Sequence, residues 1–334
     1  MLFRSAESKQ QLKVRSLNLS NAKFGAEVMD FMTNSFSRVF PNLTELVLAN
    51  ATVPKGATLV PVLRGLNFLV NLDVSGLTIR KNTVTEISKL ILSLNNLKQL
   101  HMRDSTIPAS VLKEIVNSIK GTGVALDLAG SQLDAECADV LAECLRISKN
   151  ITSLDVSDTP LKDAGLTKIL NALIENTAVE TLNISRVFGG DGREALMTAL
   201  TRYLKKTTSL TSLTMVGGTK QDQQLGLNMI PVFNAIVKND RIVSLDVQSQ
   251  GMGNKGAFAL ANLVKITTSL QSLKWDENQT GMFGIRAIID AMRVNTSVKE
   301  LQLPILDCRA LQVRGEFGNV RVINELVKSL QTKN

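Results

Sequence analysis

A leucine that returns at nearly even spacing constrains the fold of this chain more than any other feature. Each copy lies in a segment of the form L-x-x-L-x-L, and successive copies are separated by 26 to 32 residues. Such a period indicates a repeat architecture, in which each unit buries its apolar face against the next one. The central leucines are Leu17, Leu46, Leu72, Leu100, Leu126, Leu154, Leu182, Leu213, Leu245, Leu273 and Leu301.

Each repeat combines a short strand with a helix. The alternation around the central leucine predicts a strand with one buried face. In the sixth repeat, Leu166, Ile169, Leu170 and Leu173 form an apolar stripe at helical spacing. Because both elements fit into about 28 residues, the strands must run parallel, with right-handed crossovers. We therefore predict an α/β leucine-rich-repeat solenoid of about eleven repeats. Helices are wider than strands, which predicts a horseshoe with the parallel sheet on the concave face and the helices on the convex face.

The repeat pattern also sets the expected domain boundaries. We predict a single domain over residues 1–334, with repeats over about 12–305 and an amphipathic capping helix over about 318–331. The longer eighth and ninth repeats predict extended loops around Arg186–Gly192 and Gly217–Leu225.

Composition narrows the classes of partner. The net charge is +8, which favours an acidic partner such as anionic lipid or an acidic protein. Nucleic acid is not expected, because no polybasic block with interleaved aromatic residues is present. Cys137 and Cys144 share one apolar helix face and, with Cys308, predict buried thiols in a reducing compartment. With no apolar leader or membrane-spanning run in the sequence, we expect a cytoplasmic protein.

Repeats of 28–29 residues with a full helix resemble the ribonuclease-inhibitor-like class of leucine-rich repeats. In that class the ninth position of the repeat is usually Asn or Cys, whose side chain satisfies loop backbone groups. This resemblance leads us to expect a weakened polar ladder in the loops of this chain. The residues at that position are Ala22, Ala51, Ser105, Ser131, Thr159 and Asn278.

A more specific resemblance covers about residues 269–330, which look like the closing repeats of the CARMIL family of actin capping-protein regulators. Tropomodulin-type and Ran GTPase-activating repeats share the same general architecture. The resemblance implies a scaffold in actin-filament and leading-edge regulation, located in the cytoplasm or at the cell cortex. The features that carry it are Trp275-Asp276 with Asn278, Gly284, Ala287, Ala291-Met292, Asn295-Thr296, Pro304 and Asp307.

The resemblance also implies what this chain leaves out. CARMIL proteins bind capping protein through a disordered basic tail and carry a membrane-binding domain before their repeats. Here the repeats begin by residue 14 and the chain ends at Asn334, so we expect a repeat domain cut from a longer protein. The resemblance and an open N-terminal strand edge make homodimerisation a further candidate.

Alternation places one side chain per strand at the middle of the concave face. Short polar residues dominate there, and two interpretations stay open: a groove for a protein partner, or a solvated sheet face. The candidate partner-binding residues are Asp73, His101, Arg103, Asp127, Asp155, Asp246, Lys274 and Asp276.

His101, the single histidine, is expected between Asp73 and Asp127 on neighbouring strands. We predict a cluster of charge pairs, or a pH-sensitive part of the partner site. Catalysis and metal binding are not predicted, because the face offers no second histidine, no cysteine and no oxyanion hole, and zinc needs three or four ligands.

Basic residues recur near the ends of the helices and are expected to line one rim. They can stabilise helix C-terminal dipoles, or they can dock an acidic lipid or protein surface. The candidate rim residues are Lys149, Lys205, Lys206, Lys238 and Lys265.

The sequence thus predicts a non-catalytic scaffold for protein–protein interaction in actin cytoskeleton regulation, without cofactor or metal. One alternative is a GTPase-activating protein of the Ran-activating type, with Arg80 and Arg186 as candidate loop arginines. The other is an immune or signalling module that senses ligands through the same repeats.

Overall fold

The computed structural model describes residues 11–54, 60–76, 91–119 and 123–314. The chain forms two compact units, Met1–Pro160 and Leu161–Asn334, which we call the amino-terminal and the carboxyl-terminal unit. The capping helix predicted over 318–331 lies outside the described residues, and the assignment of 1–334 to a single domain stays a prediction.

Within the described residues, six short strands form the parallel sheet of the amino-terminal unit. They pair in chain order, and each central leucine faces the central leucine of the next repeat. The strands are β1 (Ser16–Asn18), β2 (Glu45–Val47), β3 (Asn71–Asp73), β4 (Gln99–His101), β5 (Val124–Asp127) and β6 (Ile151–Asp155). The helices are α1 (Ala26–Asn34), α2 (Phe36–Val39), α3 (Ala109–Ser118) and α4 (Ala135–Ile147), with a 3-10 turn at Val60–Leu63.

The described part of the carboxyl-terminal unit, up to residue 314, repeats this arrangement with five parallel strands in chain order. Its strands are β7 (Thr181–Asn183), β8 (Ser212–Thr214), β9 (Ser244–Asp246), β10 (Ser272–Lys274) and β11 (Glu300–Leu301). Its helices are α5 (Lys162–Leu173), α6 (Arg193–Lys206), α7 (Met229–Ile236), α8 (Gly253–Ile266), α9 (Met282–Val294) and α10 (Ile305–Val313), with 3-10 turns at Gln221–Gln223 and Gly226–Asn228.

The central leucines form the core that the period predicts. Leu46, Leu154 and Leu213 are fully buried. Burial of each of these side chains contributes about 2–3 kcal/mol of hydrophobic free energy. The stripe predicted for the sixth repeat is the buried face of α5. The fold class is therefore confirmed: within the described residues most of the parallel strands are followed by an α-helix, and β2 is followed by the 3-10 turn Val60–Leu63. The two long loops after β7 and β8 are also confirmed.

A residue in the left-handed backbone conformation lies in the turn after nearly every described strand. The position four residues after the central leucine has a positive φ in both units, at Gly76 and Gly130 but also at Asp104 and Arg186. Glycine adopts this conformation freely, whereas other residues do so at a cost. The tight turn that follows these strands therefore requires either a glycine or a strained backbone at this position.

Buried polar side chains bridge the loops of successive repeats. Ser131 Oγ donates to the carbonyl of Met102 at 2.7 Å and accepts from the amide of Ser105 at 3.1 Å. Asn278 Nδ2 donates to the carbonyl of Val247 at 2.9 Å. The polar ladder is thus formed at Ser131 and Asn278, whereas Ala22 and Ala51 have no polar side chain to extend it.

Gln250 is the member of this ladder that the sequence analysis overlooked. It is fully buried, donates to the carbonyl of Met215, and accepts from the amide of Leu225 at 2.8 Å. It occupies the ninth repeat position, and its longer side chain reaches across to the long loop after β8. The available signal was a glutamine at the position that Asn278 fills one repeat later.

A buried ion pair ties the two long loops to the start of α5. Arg193 Nε donates to Asp163 Oδ2 at 2.6 Å, and its other nitrogens donate to the carbonyls of Gln224 and Asp222. Asp163 is completely buried and also accepts from the amide of Gly189 at 2.8 Å. One guanidinium therefore holds segments from three successive repeats.

The left-handed turn predicts the effect of Gly130→Ala. Gly130 has a φ of +70°, and a Cβ added there would overlap Asp104 Oδ1. We therefore expect the substitution to lower the free energy of unfolding by about 1–3 kcal/mol. Urea denaturation measures this change. Gly25→Ala is the matched control, because Gly25 has extended backbone and no atom within 4 Å of an added Cβ. Equal stability of the two variants would contradict the role assigned to the turn.

The buried ion pair predicts the effect of Arg193→Ala. Removing the cation leaves the carboxylate of Asp163 buried without its partner, and we expect a loss of about 3 kcal/mol in the free energy of unfolding. Arg286→Ala, which removes an exposed pair with Asp290 at 3.6 Å, is expected to cost less than about 1 kcal/mol. Chemical denaturation of both variants tests the difference, and similar losses would disprove it.

Candidate functional site

The flanking side chains of each strand point away from the buried leucines and form what we call the open face of each sheet. In the amino-terminal unit the strand register places Asp73 beside His101, His101 beside Asp127, and Asp127 beside Asp155. This row of four residues is the one that the alternation predicts. The structure therefore brings these four candidates together on one surface.

Most of these side chains also close the turn at the end of their own strand. Asp73 Oδ1 accepts from the amide of Ser75 at 2.9 Å, Asp127 Oδ1 from Ala129 at 3.1 Å, and Asp155 Oδ1 from Ser157 at 2.8 Å. Such contacts from a side chain to the backbone two residues on are typical of Asn and Asp in turns. The polar row therefore has a structural role in addition to any role in binding. The same contact is made by Asn18, Asn183 and Asp246.

Asp127 is the centre of the charge cluster. Its Oδ2 atom lies 3.0 Å from His101 Nδ1 and accepts a hydrogen bond from Arg103 Nε. Burial alone would raise the pKa of Asp127, but the hydrogen bonds from His101, the Ala129 amide and Arg103 together lower it below its ordinary value. The carboxylate of Asp127 thus stays charged, although the residue is 6% exposed.

Arg103 connects this centre to the flanking carboxylates. Its hydrogen bond to Asp127 raises the pKa of the guanidinium, burial opposes this effect, and the charges of Asp127, Asp155 and Asp73 raise it further. His101 was expected between two carboxylates, and among the described residues its hydrogen bond is with Asp127. The carboxylate of Asp73 is directed to its own turn.

The open face of the amino-terminal unit carries more negative than positive charge. Glu45 lies on the same face two strand positions before this row, where it accepts from Ser16 Oγ at 2.6 Å and from Asn71 Nδ2 at 3.2 Å. Against four carboxylates on this face stands the guanidinium of Arg103. The neighbouring side chains are short, including those of Ser75, Ala129, Ser153 and Ser157. A long cationic side chain of a partner can therefore approach the carboxylates closely.

The open face of the carboxyl-terminal unit differs in charge. Asp246 and Lys274 lie side by side in register and balance each other. Gln248 donates to both carboxylate oxygens of Asp246 at 3.1 Å and accepts from Gln302 Nε2 at 2.8 Å. This amide network covers part of the surface on which Asp246 was expected to meet a partner.

The structure buries Asp276, the last of the candidate partner-binding residues. Asp276 is 4% exposed, and its carboxylate accepts from the amides of Leu306 and Asp307 at 3.0 and 3.1 Å. These amides begin α10, and a carboxylate at a helix N-terminus is favourable. Asp276 therefore caps α10 and is not part of the open face. Alternation failed here because the chain has already left the strand after Lys274.

Trp275 and Asp307, two of the residues that carry the resemblance to CARMIL proteins, are also buried. Trp275 Nε1 donates to the carbonyl of Gln302 at 2.9 Å. Asp307 accepts from the amides of Asn278 and Gln279, and burial raises the pKa of its carboxyl group. These residues hold the last described repeats together.

The predicted rim lysines lie at helix ends, as expected. Lys149 follows α4 in the amino-terminal unit, and the other four lie at the ends of α6, α7 and α8 in the carboxyl-terminal unit. All five are exposed: Lys149, Lys205, Lys206, Lys238 and Lys265.

Among the described residues, no group of three or more His, Cys, Asp or Glu side chains could hold a metal ion. Burial raises the pKa of Cys137 and of Cys308 to about 11, so both thiols stay protonated near neutral pH. Arg186, one of the two arginines considered for GTPase activation, is exposed on the loop after β7; Arg80 lies outside the described residues.

The comparison with known proteins gives homologues that share this repeat domain. Protein CARMIL of Dictyostelium discoideum is 25% identical over 313 residues, which cover 90% of this chain and 29% of that protein. Capping protein, Arp2/3 and myosin-I linker protein 3 of Mus musculus is 25% identical over 222 residues, or 64% of this chain and 16% of that protein. This chain is a leucine-rich-repeat domain homologous to CARMIL proteins. The resemblance predicted from Trp275 to Asp307 is confirmed and extends over most of the chain.

Other comparisons are broader. Rho GTPase-activating protein gacW of Dictyostelium discoideum is 27% identical over 183 residues, or 54% of this chain and 16% of that protein. Among solved structures, an internalin of Listeria monocytogenes is 14% identical with a TM-score of 0.40, covering 86% of this chain and 80% of that one. No protein-family model matches the chain. The chain spans less than a third of the length of these curated relatives.

None of the helices among the described residues is both long enough and apolar enough to cross a lipid bilayer.

The lowered pKa of Asp127 predicts a pH-dependent contribution to stability. Because the carboxyl pKa is lower in the folded state, the contribution is present above the ordinary value of about 3.9 and is lost as the pH falls through the folded value. We expect Asp127→Asn to destabilise the protein most at about pH 7 and progressively less below about pH 4. Urea denaturation of both proteins across this range measures the difference; a pH-independent difference would contradict the assignment.

Proposed function

We propose that this chain is a non-catalytic protein-interaction domain of the actin cytoskeleton and that the open face of its amino-terminal unit binds a basic segment of a protein partner. The observation that supports this most strongly is a local excess of negative charge on a chain whose net charge is +8. Asp73, Asp127 and Asp155 stand in one row, and complementary charge across an interface favours both association rate and specificity.

Two properties make this row more than a set of turn contacts. Asn18 and Asn183 make the same turn contact without a charge, so turn formation alone does not require aspartate at Asp73 and Asp155. Both aspartates are half-buried, which places their carboxylates where a partner can partly desolvate them. Charge at this position is therefore not required by the turn, and it adds to the negative potential of the open face.

The relatives supply the cellular context of the proposal. One of them is named for capping protein, Arp2/3 and myosin-I, and another is a CARMIL protein. We therefore propose a place for this chain in the cytoplasm near the cortical actin network. Homodimerisation stays a prediction, and a molar mass in solution that is monomeric at all concentrations would reject it.

Isosteric neutralisation tests the open face. Asp73→Asn/Asp155→Asn keeps the turn acceptors and removes two charges, so we expect an intact fold and about tenfold weaker binding to the partner. Glu114→Gln/Asp139→Asn removes two exposed charges from helices of the same unit and is the matched control.

Purified Arp2/3 complex, myosin-I and capping protein serve as the probes, and binding is measured by calorimetry. Binding of one probe that weakens in the Asp73→Asn/Asp155→Asn variant and persists in the control supports the proposal. Equal binding by all variants would show that the open face is not the binding surface. If no probe binds, the proposed role in the actin cytoskeleton is rejected.

A GTPase-activating role is the second candidate, because one relative is a Rho GTPase-activating protein. Arg186 is exposed on a loop, which is the position such a role would need for an arginine that stabilises transition-state charge. The test is single-turnover GTP hydrolysis by Rho and Ran GTPases with the wild type and with Arg186→Ala. No stimulation by the wild type ends this candidate.

A further inference from the structure

The helices of the carboxyl-terminal unit all end at one edge, because they follow parallel strands that pair in register. Helices α6, α7, α8 and α9 pack against one another in chain order. We call the surface formed by their C-terminal ends the basic–aliphatic edge. Its members are Lys205, Lys206, Lys238, Lys265, Ile266, Arg293 and Val294.

The edge carries a net positive charge. None of the ion pairs between described residues involves its four lysines. Arg293 pairs with Asp290 at 2.9 Å and so adds little charge. The exposed Asp240 and Arg241 that follow α7 offset each other. The lysines therefore set the local potential.

Helix dipoles account for the lysines but not for the apolar residues beside them. Cations at helix C-termini are favourable, whereas exposed aliphatic side chains at the same ends gain nothing from the dipole. Ile266 is 50% exposed and Val294 is 60% exposed. They occupy equivalent positions on α8 and α9, and each directly follows a basic residue. Two exposed aliphatic side chains on neighbouring helices therefore interrupt a row of cations.

We propose that the basic–aliphatic edge binds the surface of an anionic lipid bilayer. Lysines near an anionic surface each gain attraction to headgroups, and short aliphatic side chains can enter the boundary between headgroups and acyl chains. The edge holds no aromatic side chain among these members, which disfavours stacking on nucleic-acid bases. An acidic protein surface would use the lysines but would leave Ile266 and Val294 without a function.

The amino-terminal unit contains the same local pattern. Its helix α4 ends with Arg146-Ile147, and Ile147 is 72% exposed. The basic–aliphatic pair at a helix end thus occurs in both units, which supports a surface role over a chance exposure of one residue.

Sedimentation with vesicles tests this proposal on the full chain. The vesicles consist of phosphatidylcholine alone or of phosphatidylcholine with phosphatidylserine. We expect binding to the mixed vesicles only, weakening as salt is added because exposed charges are screened. Lys206→Gln/Lys238→Gln/Lys265→Gln removes one cation from each of three helices, and we expect it to weaken binding by about tenfold or more.

Two further variants separate the edge from general charge. Lys255→Gln/Lys274→Gln/Arg309→Gln removes three exposed cations elsewhere in the same unit, and we expect binding to persist. Ile266→Ser/Val294→Ser keeps all charges, and we expect binding to fall by about tenfold because apolar contact is lost. Thermal unfolding of each variant shows whether its fold is intact. The salt dependence of wild-type binding tests the electrostatic contribution without any variant.

Several results would overturn the proposal. These are no binding of the wild type to mixed vesicles, equal loss in the two charge variants, or full binding by Ile266→Ser/Val294→Ser. Polyglutamate is added as a competitor: if it binds the edge and the serine variant binds it equally, the edge recognises an acidic protein surface and not a bilayer. None of these results depends on the open face of the amino-terminal unit.

Discussion

The structure depends on the lateral pairing of one short strand per repeat, with a buried leucine at its centre. Parallel pairing in register places each residue beside the residue one repeat away, so equivalent positions form rows. Leu100, Leu126 and Leu154 are adjacent in this way. Because a strand of two to five residues has few hydrogen bonds of its own, burial of the leucine row against the helices supplies much of the stability. Every surface row described above inherits its geometry from this pairing.

The open-face row shows how one position can serve the fold and a surface together. One carboxylate oxygen of Asp127 closes the turn at Ala129, and the other receives Arg103 and His101. Asn18 meets the first requirement without a charge. The choice between Asn and Asp at this position is therefore a choice of surface potential, which the fold leaves open. This freedom allows the two units to present different charge on the same architecture.

Some contacts could be predicted from the repeat and others could not. The register of Asp73, His101, Asp127 and Asp155 follows from the period and from alternation along a strand, and both are local properties. Asp276 lies two residues beyond a strand, where alternation no longer applies, and only the position of α10 reveals its role as a cap. Gln250 resembles a ladder residue in sequence position, but its longer reach depends on where the long loop after β8 passes.

The sequence by itself determined the repeat, the strand and helix order, the buried leucines and the row of polar side chains, because these depend on spacing along the chain. The tertiary structure decided which polar groups form hydrogen bonds or ion pairs inside the protein. Arg193 meets Asp163 across 30 residues, and Asp276 meets the start of α10 across a similar interval. Such contacts arise from irregular loops, whose paths are set by packing against neighbouring repeats and not by a period.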